Sequence, residues 1–230
     1  MRRVFIGFDR REIAAYQVCA YSIIKNSSVP VSITPLNIRH IEKFKNTDYK
    51  ASTEFAFTRF LVPYLSGYEG YSVFMDCDML VRGDIEDLFQ CADNESDVQV
   101  VQHQYKPKED DKFLGAEQTI YEKKNWSSVM LFNNEECKNL TKHYVNTASG
   151  LHLHQFEWAS VVGKLPKSWN YLVGENIDAA TYGDPDLVHY TLGGPYFDAY
   201  DGCQFADEWW KYWKEANSVL DTKVLGGINV

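Results

Sequence analysis

Tyr71-Ser72-Val73-Phe74-Met75-Asp76-Cys77-Asp78-Met79-Leu80-Val81 is an apolar run broken at its centre by two acids one residue apart. Alternation along a single strand would send both acidic side chains to one face. Carboxylates that close repel each other unless something neutralises them, and a hard divalent cation does so with oxygen ligands. In open α/β sheets ligands bind at the carboxyl ends of strands, which is where this pair falls. An ordinary acidic turn also fits the three letters, but it does not call for apolar runs on both sides. Asp76 and Asp78 are therefore expected to hold a metal ion.

Upstream, Val4-Phe5-Ile6-Gly7-Phe8 reads as a buried first strand. A helix is predicted from about Glu12, on the spacing of Ile13, Tyr16, Gln17, Ala20 and Ile24, closing at Asn26-Ser27-Ser28. Val29 to Leu36 reads as a second strand, at an edge or interrupted because of Pro30 and Pro35. Strand, helix and strand in this order imply an α/β fold, with a mostly parallel central sheet flanked by helices. Phe55, Phe57, Phe60, Leu61 and Tyr64 predict a further helix from about Thr53 to Leu65. Later strands are expected at 98–102, 128–132 and 187–191, and helices at 155–162 and 207–217. The last helix carries Trp209, Trp210 and Trp213, which fit docking on the sheet, sugar stacking, or a peripheral membrane or oligomer face. The charged, glycine-containing stretch 106–124 reads as a mobile loop, and its run 106–112 as a solvated loop or an acceptor lid.

The chain has 230 residues, 45% hydrophobic and 15% aromatic, enough for a sizeable core and too much for disorder. One domain over 1–230 is expected, with a nucleotide-binding half at 1–100 and a sugar and acceptor half at 101–230. A net charge of −9, from 23 basic and 32 acidic residues, excludes a protein built to coat nucleic acid. A polyanionic substrate must then be met locally, by a metal ion or a few placed cations. No stretch suits a membrane span, and Asp9 comes too early for a secretory signal. Cys19, Cys77, Cys91, Cys137 and Cys203 are scattered singly, as reduced thiols would be. A cytoplasmic location is the expectation.

Three blocks around the acids, Arg59-Phe60-Leu61-Val62-Pro63-Tyr64-Leu65, Phe74 to Val81, and Gly83-Asp84-Ile85-Glu86-Asp87-Leu88-Phe89, resemble the centre of family 8-like GT-A glycosyltransferases. In outline the resemblance runs over most of the chain. Phe5 to Asp9 with Ala15-Tyr16 and Ser22 is similar to that family's first strand and helix. Val129-Met130-Leu131-Phe132-Asn133 is similar to the strand lining its sugar pocket. Lys164-Leu165-Pro166 with Trp169-Asn170, and then Val188-His189-Tyr190-Thr191 before Gly193-Gly194-Pro195, match late landmarks in the right order. The His-Tyr-Thr-x-Gly-Gly-Pro ending resembles small viral and bacterial members.

The resemblance implies a GT-A fold and a transferase moving a sugar from a nucleotide-sugar, with uridine as the expected base, to a hydroxyl of a glycan or glycoconjugate, as in polysaccharide biosynthesis. It implies that Asp76, Asp78 and His189 hold manganese or magnesium against the donor diphosphate, with imidazole tilting the choice to manganese. Gly7, Phe8 and Asp9 would meet the base. Tyr16 would pack nearby, although the core is the more ordinary place for it. Arg59, Cys77, Ser128, Gly193 and Gly194 complete the expected donor contacts. His154-Gln155-Phe156-Glu157 stands where the family has an acid-glutamine segment below the anomeric carbon, so Gln155, His154 and Glu157 are the catalytic candidates. His154 replaces the expected acid, Pro195 and Tyr196 occupy the place of a diphosphate-binding lysine, and Trp126-Ser127-Ser128 replaces an Asn-small-Gly segment. A retaining outcome follows from the resemblance alone. A sugar-1-phosphate nucleotidyltransferase would want a basic glycine-rich first loop, which Gly7-Phe8-Asp9-Arg10-Arg11 is not. A non-catalytic nucleotide- or carbohydrate-binding module is the other alternative.

Overall fold

The computed structural model describes residues 1–45, 53–104, 123–175 and 183–218. The predicted loop at 106–124 lies outside them apart from its last two residues. Strand β1 (Arg2–Gly7) feeds helix α1 (Ile13–Asn26), which returns to β2 (Val31–Leu36), and β1 pairs β2 in parallel. β2 tolerates Pro35 because it is the edge of the sheet and pairs on one side alone. β3 (Tyr71–Met75) then lies on the other side of β1, also parallel. The chain thus departs from β1 in opposite directions, which opens a crevice beyond the carboxyl ends of β1 and β3.

β5 (Val98–Val100), β6 (Val129–Asn133) and β7 (Val162–Lys164) complete a six-stranded sheet in the order β2-β1-β3-β6-β5-β7. β6 runs antiparallel to both β3 and β5, while β5 and β7 are parallel. Val73, Phe74, Met75, Val98, Val100, Met130 and Phe132 are fully enclosed, as expected of strands covered on both faces. The apolar run around the two acids is not one strand. β4 (Met79–Val81) leaves the large sheet and pairs antiparallel with β9 (Leu187–His189), which pairs parallel with β8 (Tyr171–Leu172). Asp76-Cys77-Asp78 is the crossing between the two sheets.

Helix α1 packs on β4 and on the C-terminal helix α6 (Ala206–Ala216). A second apolar cluster of Val18, Leu80, Tyr171, Val188, Tyr190, Trp209 and Tyr212 fills that layer. Trp209 stacks on Trp213 with centroids 5.9 Å apart, while Trp210 stands perpendicular at the surface. Helix docking is therefore what most of these aromatics do. Short helices α2 (Val62–Leu65), α3 (Ile85–Gln90), α4 (Lys142–Thr147) and α5 (Gly150–His154) fall between the strands along the chain. None of the described helices is long and apolar enough to cross a membrane.

Two predicted helices differ from the structure. Residues 53–65 form turns and a 3-10 segment at Thr58–Leu61 before α2 starts at Val62. Pro63 has no N–H to give to a turn running in from Arg59, so the α-helix begins there instead. The helix placed at 155–162 is instead α5, ending at His154, followed by a turn and β7. Phe156 holds a left-handed φ of 57°, which stops helical propagation.

Candidate active site

Asp76 and Asp78 leave the end of β3, and His189 leaves the end of β9 opposite Met79. One ligand atom from each of the three lies within 4.8 Å of the others. Backbone bonds fix the crossing from both sides. The Asp76 N–H donates to the Ser128 carbonyl at 3.0 Å, and the Tyr190 N–H donates to the Asp78 carbonyl at 2.9 Å. Between the acids Cys77 is fully enclosed, and burial pushes its thiol well up, so it serves packing and not reaction.

The imidazole of His189 is oriented from behind. Asn170 Nδ2 donates to Ser128 Oγ at 2.8 Å and to the Asn125 carbonyl at 3.3 Å, which leaves Asn170 Oδ1 as an acceptor. His189 Nδ1 stands 3.0 Å from that oxygen, so the network assigns its proton to Nδ1. Nε2 then presents a lone pair toward Asp78 Oδ1, 3.4 Å away. A lone pair facing a carboxylate oxygen is unfavourable until a cation stands between them. Two carboxylates, one imidazole and a backing amide form the donor set of a divalent-ion site, with the second layer such sites use. The residues therefore fit manganese or magnesium. Ser128, expected to touch the donor, stands in this backing layer.

Arg59 is 5% exposed; its Nη1 donates to the Ser127 carbonyl at 2.9 Å and forms an ion pair with Asp76 Oδ1 at 2.9 Å. Its guanidinium lies over the rings of Phe55 and Phe74. It fixes the first acid and neutralises it within the protein. Ser127 Oγ shares a hydrogen bond of 2.7 Å with His154 Nδ1, and the His154 ring meets Phe60 edge-on. His154 is thus linked through Ser127 and Arg59 to Asp76. Gln155 ends α5, with its carbonyl accepting from Lys123 Nζ at 2.7 Å. Glu157 is turned to the surface, 2.7 Å from His152 Nδ1, and no contact among the described residues joins it to the three acids and histidine.

At the β1 end, Asp9 is fully enclosed and bound by Arg11, whose contacts together with the Glu54 N–H outweigh burial and hold the Asp9 carboxyl below the usual range. Phe8 and Tyr16 meet edge-to-face at 5.4 Å beside it. A side chain at Gly7 would run into the Phe55 ring at 2.5 Å. A Cβ at Gly193 would meet the Tyr200 ring at 2.4 Å, and one at Gly194 the Tyr196 ring at 2.2 Å. These glycines admit neighbouring aromatic rings.

Two residues that the sequence did not single out as contributors complete the crevice. Glu12, just before α1, is 2% exposed; burial first and the charge of Asp78 second push its carboxyl up to about 8. Tyr196, in the loop that follows His189, donates to its Oε1 at 2.9 Å. Asn170 had been visible only as a landmark beside Trp169.

No family model matches the chain. Among solved structures, the bifunctional glycosyltransferase WbbM superposes with a TM-score of 0.61 at 17% identity, over 97% of this chain and 51% of its own. GlyE of Streptococcus pneumoniae TIGR4 gives 0.58 at 16%, over 97% and 62%. The chain thus spans about half of WbbM and somewhat under two thirds of GlyE. The galactosyltransferase LgtC, solved with donor and acceptor sugar analogues, gives 0.57 at 12%, over 96% of this chain and 98% of its own. These likenesses show the GT-A fold, the α/β architecture the sequence had implied. In sequence, Protein CDI of Arabidopsis thaliana is 44% identical over 225 residues, covering 94% of this chain and 87% of that protein. An identity of that extent, over nearly the whole chain and across both the sheet crossing and the histidine strand, makes this chain a member of the Protein CDI family.

Proposed function

We propose that the chain is a metal-dependent glycosyltransferase that moves a sugar from a nucleotide-sugar to an acceptor hydroxyl. The observation carrying this reading is the meeting of Asp76, Asp78 and His189 within 4.8 Å at the carboxyl ends of their strands. When bound, a manganese or magnesium ion there would neutralise the diphosphate leaving group. Arg59 and the Ser128 carbonyl hold Asp76 in place, and Asn170 keeps the Nε2 lone pair of His189 turned to the site. Such preorganisation leaves little to rearrange as charge develops on the departing phosphate. His154, tied to the same network through Ser127, and Gln155 beside it are assigned to the face of the sugar ring, on the strength of resemblance. In this reading residues 1–100 supply most of the nucleotide side and 101–230 the sugar and acceptor side. A retaining outcome, a uridine base and a glycan acceptor belong to the same proposal, by resemblance.

Titration calorimetry with uridine and guanosine diphosphates, with and without manganese, tests the reading. Metal-dependent binding that disappears in Asp78→Ala is the expected result. Absence of binding to either nucleotide with manganese present would remove the transferase reading.

A further inference from the structure

Ser128 stands where the two sheets meet, and its backbone and its side chain serve different members of the site. It directly precedes β6, and its carbonyl accepts from the Asp76 N–H at 3.0 Å, one step past the pairing of Met75 with Val129. That bond fixes where Asp76 leaves the large sheet. The side chain reaches toward the small one. Ser128 Oγ accepts from Asn170 Nδ2 at 2.8 Å in a buried contact. Asn170 immediately precedes β8, whose Leu172 pairs with His189.

Counting protons fixes the direction of each bond. The Ser128 hydroxyl has one proton, and it goes to the Asn125 carbonyl at 2.7 Å. Oγ can then only accept, so Asn170 must face it with Nδ2. A flipped amide would bring Oδ1 against Ser128 Oγ and the Asn125 carbonyl, two oxygens with no proton to offer it. The amide as it stands gives Oδ1 to His189 Nδ1 at 3.0 Å and leaves Nε2 as the ligand atom. The orientation of the imidazole is thus decided two residues away from it along the hydrogen-bond chain, at a serine of the other sheet.

We propose that Ser128 is a positioning residue of the metal site: its hydroxyl, acting through Asn170, presets His189 as an imidazole ligand and so gives the site a preference for manganese over magnesium. Without that imidazole the donor set is two carboxylates, which suit magnesium as well as manganese. The inference rests on the metal part of the reading above and not on the nucleotide. Calorimetry of the full chain, with manganese alone and with magnesium alone, tests it on the native protein, Ser128→Ala and the near-isosteric Ser128→Cys, whose thiol is a weak donor and acceptor. Both variants keep the backbone bond to Asp76 and lose the directed hydroxyl. In both, manganese affinity should fall about tenfold, the lower end for disturbing an outer partner of a metal-ligating histidine, while magnesium affinity changes much less. Equal losses for the two ions, or native behaviour in Ser128→Cys, would show that the serine fills space and would overturn the proposal. So would a native protein without a preference for manganese. These outcomes leave the metal site itself standing. Failure of the native chain to bind manganese would overturn the metal reading and this inference with it.

Discussion

His189 is a competent ligand because of what stands behind it. Without the Asn170 amide, its proton could move to Nε2 and the ring could turn toward Asp78 as a simple ion pair. Asn170→Ala should therefore weaken manganese binding by about 10- to 100-fold, the usual cost of losing an outer partner of a metal-ligating histidine. Manganese titration monitored by thermal shift would read this; unchanged affinity would show that the ring is held by packing alone. Arg59 makes the complementary case. Arg59→Met leaves a mostly buried Asp76 without its cation, at a cost of about 3–5 kcal/mol in chelator. Urea unfolding should show that loss, and added manganese should restore part of it, because the ion takes over the same carboxylate. The two acids were legible because they break an apolar pattern, and His189 because its flank of Tyr190, Thr191 and two glycines carries the family resemblance. Glu12 was not, since an acid at a helix start is what any helix favours, and nothing local distinguishes an enclosed one.

Among the elements, the strands were read well and the short helices poorly, for different reasons. Burial on both faces writes long apolar runs, so Tyr71–Met75 and Val129–Asn133 stand out. That the run around the acids divides between two sheets is a tertiary fact, set by the pairing of Met79 with His189, and no local pattern encodes it. Past α5, helical spacing is overruled at Phe156. Its left-handed backbone costs about 1–2 kcal/mol, but its ring is 2% exposed and packs on Trp158 and Trp126. Loss of such a buried aromatic costs about 3–5 kcal/mol, so packing wins. Phe156→Gly relieves the strain and still should lose about 2 kcal/mol net by urea unfolding. A stabilised variant would mean that the ring contributes less than the backbone strain. Gly193 shows the reverse balance: with φ at 143° and the Tyr200 ring 2.4 Å from any Cβ, Gly193→Ala is strained twice over. It should displace the His189 loop and lower both melting temperature and metal affinity.

Over the whole molecule, net negative charge and a crevice lined by Asp9, Glu12, Asp76 and Asp78 make the chain depend on cations placed with care. His103 shows what this costs where a cation is excluded. It is 6% exposed, and burial first, then His189 and Lys167, pull its imidazole down to about 3. The unfolded chain takes up that proton near pH 6.5. Because the folded value is the lower one, the unfolded state binds more protons as pH falls, and stability drops with it. The contribution is complete above pH 6.5 and is lost progressively between 6.5 and about 3. Asp9, also held low when folded, adds a further loss only below the carboxylate range. In chelator, His103 alone should lower the unfolding free energy by about 2 kcal/mol between pH 7 and pH 5. His103→Gln, which cannot take a proton, should flatten that interval in urea titrations while leaving the steeper loss below pH 4. An unchanged slope in the variant would place the acid sensitivity elsewhere.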